Sequence, residues 1–169
     1  MYYAGIGRRT IPDDIQVSFE KFGRWAQDQG LTLRSGGAEG ADLAFEKYVI
    51  PANKQIFLPW RGFNGHTSKL FTPSKEAHTM AARFHPNWKE KSVGSQKLLA
   101  RNVHQLLGPK LNSPVEFVVC WTENGNDTGG TGQGIKMAET LNIPVYNFGA
   151  KDFDKQTLFE LVLELTDEI

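Results

Sequence analysis

Residues 115–148 begin Val115-Glu116-Phe117-Val118-Val119-Cys120-Trp121 and pass through a polar loop, Thr122 to Thr128. They continue as Gly129-Gly130-Thr131-Gly132-Gln133-Gly134, a helical stretch Ile135 to Leu141, and Asn142. They end in Ile143-Pro144-Val145-Tyr146-Asn147-Phe148. The opening run is almost wholly apolar and rich in β-branched and aromatic residues, as in a strand buried on both faces of a parallel sheet. Asn142 can close the helix, and Ile143 to Phe148 reads as the next strand. The whole is one βαβ unit with glycines packed at the turn into its helix.

Such a turn has a specific chemistry. A helix start carries free backbone N–H groups and about half a positive charge. Glycine has no Cβ, so the backbone can approach a ligand closely. Together they favour an anion, most often phosphate. The same turn also occurs with no ligand at all. A second turn of this kind strengthens the ligand reading. Leu31-Thr32-Leu33-Arg34-Ser35 reads as a strand, and Gly36-Gly37-Ala38-Glu39-Gly40-Ala41-Asp42 opens a helix running to about Tyr48. In a doubly wound sheet the strand C-termini share one edge, where ligands bind. Two glycine turns at that edge would face one crevice.

The chain has 169 residues, which suits a single domain with a proper core. Basic and acidic side chains balance at 19 each, so no broad attraction to nucleic acid or anionic lipid is expected. The single cysteine, Cys120, lies in the apolar strand and reads as a buried small residue. There is no signal peptide and no apolar run long enough to span a membrane, which makes a cytoplasmic protein the natural reading.

Along the rest of the chain, Tyr2-Tyr3-Ala4-Gly5-Ile6 is the first strand, followed by the turn Gly7-Arg8-Arg9-Thr10, a third wall for the crevice. Pro12, Asp13 and Asp14 suit a helix start, and Ile15, Phe19, Phe22 and Ala26 form its apolar stripe up to Gly30. Lys54-Gln55-Ile56-Phe57-Leu58-Pro59 is a strand ending at Trp60. That aromatic can stack on a base or cover the core. Residues 61–72 form a loop with no periodic pattern, a length that is often functional. Thr72 can cap the next helix, with Pro73 in its first turn. A helix from about Ser95 to Leu107 buries Leu99, Val103, Leu106 and Leu107; Asn102 flanks that stripe and Arg101 points further away. The last helix, about Lys155 to Leu165, packs on an outer face. Five strands alternating with helices predict an α/β, Rossmann-like three-layer fold with a mostly parallel sheet.

Some chemistry is missing. The histidines show no metal spacing, and cysteine is too scarce for structural zinc. There is no P-loop and no full dinucleotide fingerprint. No cofactor is expected. Acid–base candidates near the crevice are Glu39, Asp42 and Glu123, though each reads first as a solvated or capping carboxylate. Asp42 can bind ribose hydroxyls or favour the helix dipole.

Several of these segments, in this order, resemble the SLOG superfamily. They are Gly5-Ile6-Gly7-Arg8-Arg9 with Pro12, Arg34 to Asp42, Leu58-Pro59-Trp60, Arg101-Asn102, and Trp121-Thr122 with Gly129-Gly130-Thr131-Gly132. That group includes the Rossmann-like domain of DNA-processing protein A, YpsA-type proteins and lonely-guy phosphoribohydrolases. The chain looks most like small stand-alone members, often carried by bacteriophages. The resemblance implies a nucleotide or nucleotide-derived ligand held at the two glycine turns. The lonely-guy motif is Gly-Gly-x-Gly-Thr-x-x-Glu. Gly129, Gly130 and Gly132 match it, but Gln133 stands at the threonine position and Lys136 at the glutamate position.

The expected binding residues are therefore Gly129, Gly130, Thr131 and Gly132 around one phosphate. Ser35, Gly36, Gly37 and Asp42 take a second phosphate or the ribose. Gly7, Arg8, Arg9, Arg101 and Asn102 line the crevice, and Trp60 or Trp121 stacks on a base. The leading function is binding of a nucleotide signal as a sensor or sequestering protein. The alternative is hydrolysis of an N-glycosidic or phosphoribosyl bond with Glu39 or Asp42 as acid–base group. The third is single-stranded DNA binding, which the charge balance does not favour. Related folds often pair through helices beside the site, so a homo-oligomer is expected, with loop 61–72 completing a neighbour's pocket.

Overall fold

The structure, a computed structural model, describes residues 1–167. Its strands are β1 (Tyr2–Gly5), β2 (Thr32–Ser35), β3 (Lys54–Leu58), β4 (Leu70–Phe71), β5 (Phe117–Cys120) and β6 (Val145–Asn147). Its helices are α1 (Asp13–Asp28), α2 (Ala41–Glu46), α3 (Lys75–Ala82), α4 (Val93–Leu107), α5 (Gly129–Thr140) and α6 (Lys155–Asp167). The strands form one parallel sheet in the order β4-β3-β2-β1-β5-β6. The α/β, Rossmann-like expectation is met. From β1 the chain winds outward through β2 and β3. From β5 it winds the other way to β6. The reversal falls between β1 and β5, where a crevice opens beyond the strand ends.

Strand alternation sorts the side chains between two cores. On one face Tyr3, Leu33, Phe117 and Val119 meet Phe19, Phe22 and Ala26 of α1, Ala44 and Phe45 of α2, and Leu158 and Val162 of α6. On the other, Ala4, Val118 and Cys120 meet Ala77 and Ala81 of α3, Ala100 and Val103 of α4, and Met137 and Ala138 of α5. Burial pushes the Cys120 thiol pKa up, as suits an inert core residue. Asn142 closes α5 as read, in a left-handed conformation with φ 58°. No helix among the described residues is long and apolar enough to cross a membrane.

Four details depart from the sequence reading. A sixth strand, β4, lies inside the loop 61–72 and pairs Leu70 and Phe71 with Phe57 and Leu58. A two-residue strand is too short to show alternation. The Ser68 hydroxyl, donating to the Ile56 carbonyl (2.6 Å), and Thr72 N–H, donating to the Leu58 carbonyl (3.2 Å), hold it there. Helix α3 is capped by Ser74, whose hydroxyl accepts from Ala77 N–H (3.1 Å); Thr72 instead turns left-handed at φ 63°. Helix α2 stops at Glu46, short of Tyr48. The glycines 129–134 are the first turns of α5, not a loop before it. A Cβ on Gly132 would overlap the Asp127 carbonyl, and one on Gly134 would stand 3.1 Å from Ile6 Cδ1. Those glycines let α5 sit close to its own incoming loop and to β1.

The first core holds one polar anomaly. Among the described residues the Tyr3 hydroxyl is buried without a hydrogen-bond partner, while its ring stacks on Phe117 (5.5 Å) and meets Phe22 edge-on (5.4 Å). An unpaired buried hydroxyl costs about 1–3 kcal/mol, and phenylalanine keeps the ring. Tyr3→Phe is therefore expected to stabilise the fold by about 1 kcal/mol, raising Tm by roughly 2–4 °C. A lower Tm would mean the hydroxyl has a partner.

Candidate functional site: a cationic cavity at the sheet crossover

Three segments converge at the crevice. The β1–α1 turn is pressed onto the start of α2. A Cβ on Gly7 would collide with the Ala41 methyl, and one on Gly40 would overlap the Arg8 and Arg9 carbonyls. Gly40 adopts φ 81°, ψ −120°, a conformation that suits only glycine. Ala41 N–H donates to the Arg8 carbonyl (3.1 Å). This contact spends the first α2 amide on protein and leaves the Arg8 and Arg9 side chains exposed at the crevice.

The turn at residues 36–40 is partly taken up by its own fold. Ala38 N–H donates to Asp42 Oδ2 (3.2 Å). The Gly37 carbonyl accepts from Asn64 Nδ2 (3.0 Å), and the Gly36 carbonyl accepts from Arg101 Nη1. The Ser35 hydroxyl donates to the Gly5 carbonyl (2.7 Å). What this turn presents to the crevice is Ala38 and the Asp42 carboxyl.

The start of α5 is open by contrast. Among the described residues no side chain caps it; the Thr128 hydroxyl donates to Asn126 Oδ1 (3.0 Å) and accepts from no α5 amide. The first-turn amides of any helix lack intrahelical acceptors. Here Gly129, Gly130 and Thr131 line the cavity. Gly129 enters the helix at φ 74°, another position that favours glycine.

These walls enclose a cavity of about 370 Å³. Of the expected residues, Gly7, Arg8, Arg9, Asp42, Arg101, Asn102, Gly129, Gly130 and Thr131 line it. Ser35, Gly36, Gly37, Gly132, Trp60, Trp121 and Glu39 do not. Glu39 is exposed, and Trp60 is 39% exposed with its ring edge-on to Phe63 (5.3 Å). Residues that the sequence reading missed come mainly from α4: Ser95, Leu98 and Gln105, with Ala38 and Thr128 elsewhere. Ser95, Leu98, Asn102 and Gln105 recur at near-helical spacing, and that mixed stripe beside the apolar one was the available signal.

Arg101 was expected to point away from the buried stripe, but it is only 7% exposed. The α4 helix crosses the strand ends, so this side chain meets their free carbonyls. Nη1 donates to Gly36 and also to Phe57 (3.3 Å), and Nε donates to Asn102 Oδ1 (2.8 Å). Phe63 covers it, with the guanidinium 5.4 Å from the ring centroid. Among the described residues no group hydrogen-bonds Nη2, and the residue lines the cavity. Burial lowers the Arg101 pKa, while Asp42 opposes that shift and Arg9 adds to it.

Asp42 is the cavity's one lining carboxylate among the described residues. Burial pushes its pKa up to about 6, opposed by Arg101 and the Ala38 N–H, with Glu46 one turn on adding repulsion. The folded pKa lies above the unfolded 3.8, so between those values the folded state binds the extra proton. That proton's stabilisation is complete below about pH 4 and lost as pH rises through about 6, on the order of 3 kcal/mol. Asp42→Asn keeps an acceptor for Ala38 N–H and removes the charge. It is expected to gain stability over the parent at pH 8 and none at pH 4, by denaturant titration. Equal gains at both pH values would show that the carboxyl does not titrate there.

No protein-family model and no curated protein sequence matches this chain. A solved structure of DNA processing protein A from Helicobacter pylori does match. That protein is described for its unique single-stranded DNA binding mode. The likeness has a TM-score of 0.59 and 16% identity, over 98% of this chain and 73% of that one. At that identity the likeness shows a related fold.

Proposed function

We propose that this chain binds the phosphate of a nucleotide-type ligand in the cavity between β1, α4 and α5. The observation that carries this reading is the convergence of Arg8, Arg9, Arg101 and an uncapped helix start on one concavity. Against them stands one carboxylate, Asp42. A phosphate in that cavity would accept hydrogen bonds from the Gly130 and Thr131 amides and neutralise the guanidinium groups. The volume is within the range of small-ligand sites, about 300–1,000 Å³. This reading takes the chain as a relative of the SLOG group, serving as a sensor or sequestering protein.

The test is calorimetry with nucleoside 5′-monophosphates beside the matching nucleosides. Heat is expected from the phosphorylated compounds alone. Equal affinity for nucleoside and nucleotide would remove the phosphate cradle from the account.

Single-stranded DNA is the second reading. It rests on the fold shared with DNA processing protein A and on the exposed Arg8 and Arg9, which would hold the backbone of a strand. A gel shift at low salt that fades with added salt would favour it. Turnover, the third reading, would fall to Asp42, since Glu39 lies outside the cavity and Lys136 reaches toward Asp127 (3.9 Å). Release of free base from nucleoside monophosphates, lost in Asp42→Asn, would reveal it.

A further inference from the structure

A second concavity, about 590 Å³ and more open, lies on the other side of the β1–α1 turn. Its walls are Ile11, Pro12, Trp121 and Glu123, and it shares Arg8 and Arg9 with the first cavity. The two arginines thus form a ridge with a hollow on each side. Resting on the reading that the first cavity holds a phosphate, we propose that the ligand contains two linked nucleotides. The leading phosphate sits at α5, the linking phosphate lies on the Arg8–Arg9 ridge, and the second base rests on Trp121.

The chemistry of the two hollows differs in the way such a ligand requires. The first has the open helix start and the buried guanidinium of Arg101. The second has an indole, an isoleucine and a proline, a surface suited to the face of a base. Among the described residues it offers no cation beyond the ridge, and Glu123 adds an acidic wall. Asp13 and Asp14 follow Pro12 at once in the chain. Those two carboxylates offset the positive start of α1, and Glu123 offsets part of the ridge's charge, so a second phosphate gains less there than at α5 while a base loses nothing. Arg8 Nη1 lies 3.7 Å from Glu123 Oε2, with both side chains well exposed. An exposed pair of this kind contributes little, so a phosphodiester can draw Arg8 away from it. Trp121 is half-buried against the first core, so its ring is held in place before a ligand arrives.

The probes are thymidine 5′-monophosphate and the 5′-phosphorylated thymidine dinucleotide, titrated into the full chain and into Trp121→Leu. The dinucleotide is expected to bind the parent about ten-fold more tightly, the gain of one stacked base. Trp121→Leu should erase that advantage and leave monophosphate affinity within about two-fold. In the parent itself, tryptophan emission should be quenched by the dinucleotide and not by the monophosphate, a readout that needs no variant. A ten-nucleotide thymidine strand separates the sources. Affinity no greater than the dinucleotide's assigns a free dinucleotide, and affinity rising with length assigns a DNA strand; both keep the second base on Trp121. Monophosphate binding without a dinucleotide advantage, or equal loss of both ligands in Trp121→Leu, overturns the proposal alone. No binding of either probe to the parent removes the phosphate cavity as well.

Discussion

Gly130→Asp is expected to weaken nucleotide binding about a hundred-fold while leaving the protein folded and slightly more stable. The two effects have opposite signs because one substitution acts on two different charges. Gly130 lies in the first turn of α5 and lines the cavity. A Cβ there meets only Leu99 Cδ2, at 4.0 Å, so the side chain enters without a clash. An aspartate in a first helical turn favours the helix dipole by about 0.3–1 kcal/mol, and replacing glycine adds helix propensity. The same carboxylate would sit within about 5 Å of a bound phosphate. At an effective dielectric of about 20, that repulsion is roughly 3 kcal/mol, or about a hundred-fold in affinity. Calorimetry and thermal unfolding of the same sample test both halves. Unchanged affinity in a folded variant would show that the anion does not bind at α5.

Gly40→Ala is expected to be the most damaging single methyl in the crevice. Its Cβ would overlap two carbonyl oxygens, those of Arg8 and Arg9, at a backbone conformation an L-residue rarely adopts. Relief requires moving the β1–α1 turn off α2 and stretching the hydrogen bond from Ala41 N–H to the Arg8 carbonyl. The cost is about 3 kcal/mol or more, from overlap and strain together. Gly30→Ala is the control. Gly30 also has a positive φ, 90°, but nothing lies within 4 Å of its added Cβ. That change should cost only the left-handed strain, about 1 kcal/mol. Denaturant titration of the pair separates overlap from strain. Equal losses would mean that the turn does not rest on α2 as described. Nucleotide affinity should also fall in Gly40→Ala, because Arg8 and Arg9 move with the turn.

The all-parallel architecture was legible because its signals are local and strong. Val115 to Trp121 is apolar enough to need cover on both faces, and Phe19, Phe22 and Ala26 mark a single helical stripe. Asn142 marked a helix end that its left-handed backbone bears out. The sixth strand was not legible, since two residues carry no alternation and their place depends on Ser68 and Thr72 bonding to β3. Helix α5 began earlier than its composition suggested. Glycine is a poor interior helix residue, but here close packing against Asp127 and Ile6 excludes any side chain at Gly132 and narrows the choice at Gly134.

The residues alone determined that glycine-rich turns and arginines would gather at one sheet edge, because strands alternating with helices run parallel and so share the edge of their C-terminal ends. They could not determine which turn stays free. The 36–40 turn and the 129–134 helix start look alike in sequence, yet in the first the Ala38 amide is taken by Asp42 and the Gly37 and Gly36 carbonyls by Asn64 and Arg101, while Ala41 N–H just beyond it is taken by the Arg8 carbonyl. The second keeps its first-turn amides uncapped. Backbone groups are satisfied by whichever partners folding brings near, and those partners lie up to 65 residues away along the chain.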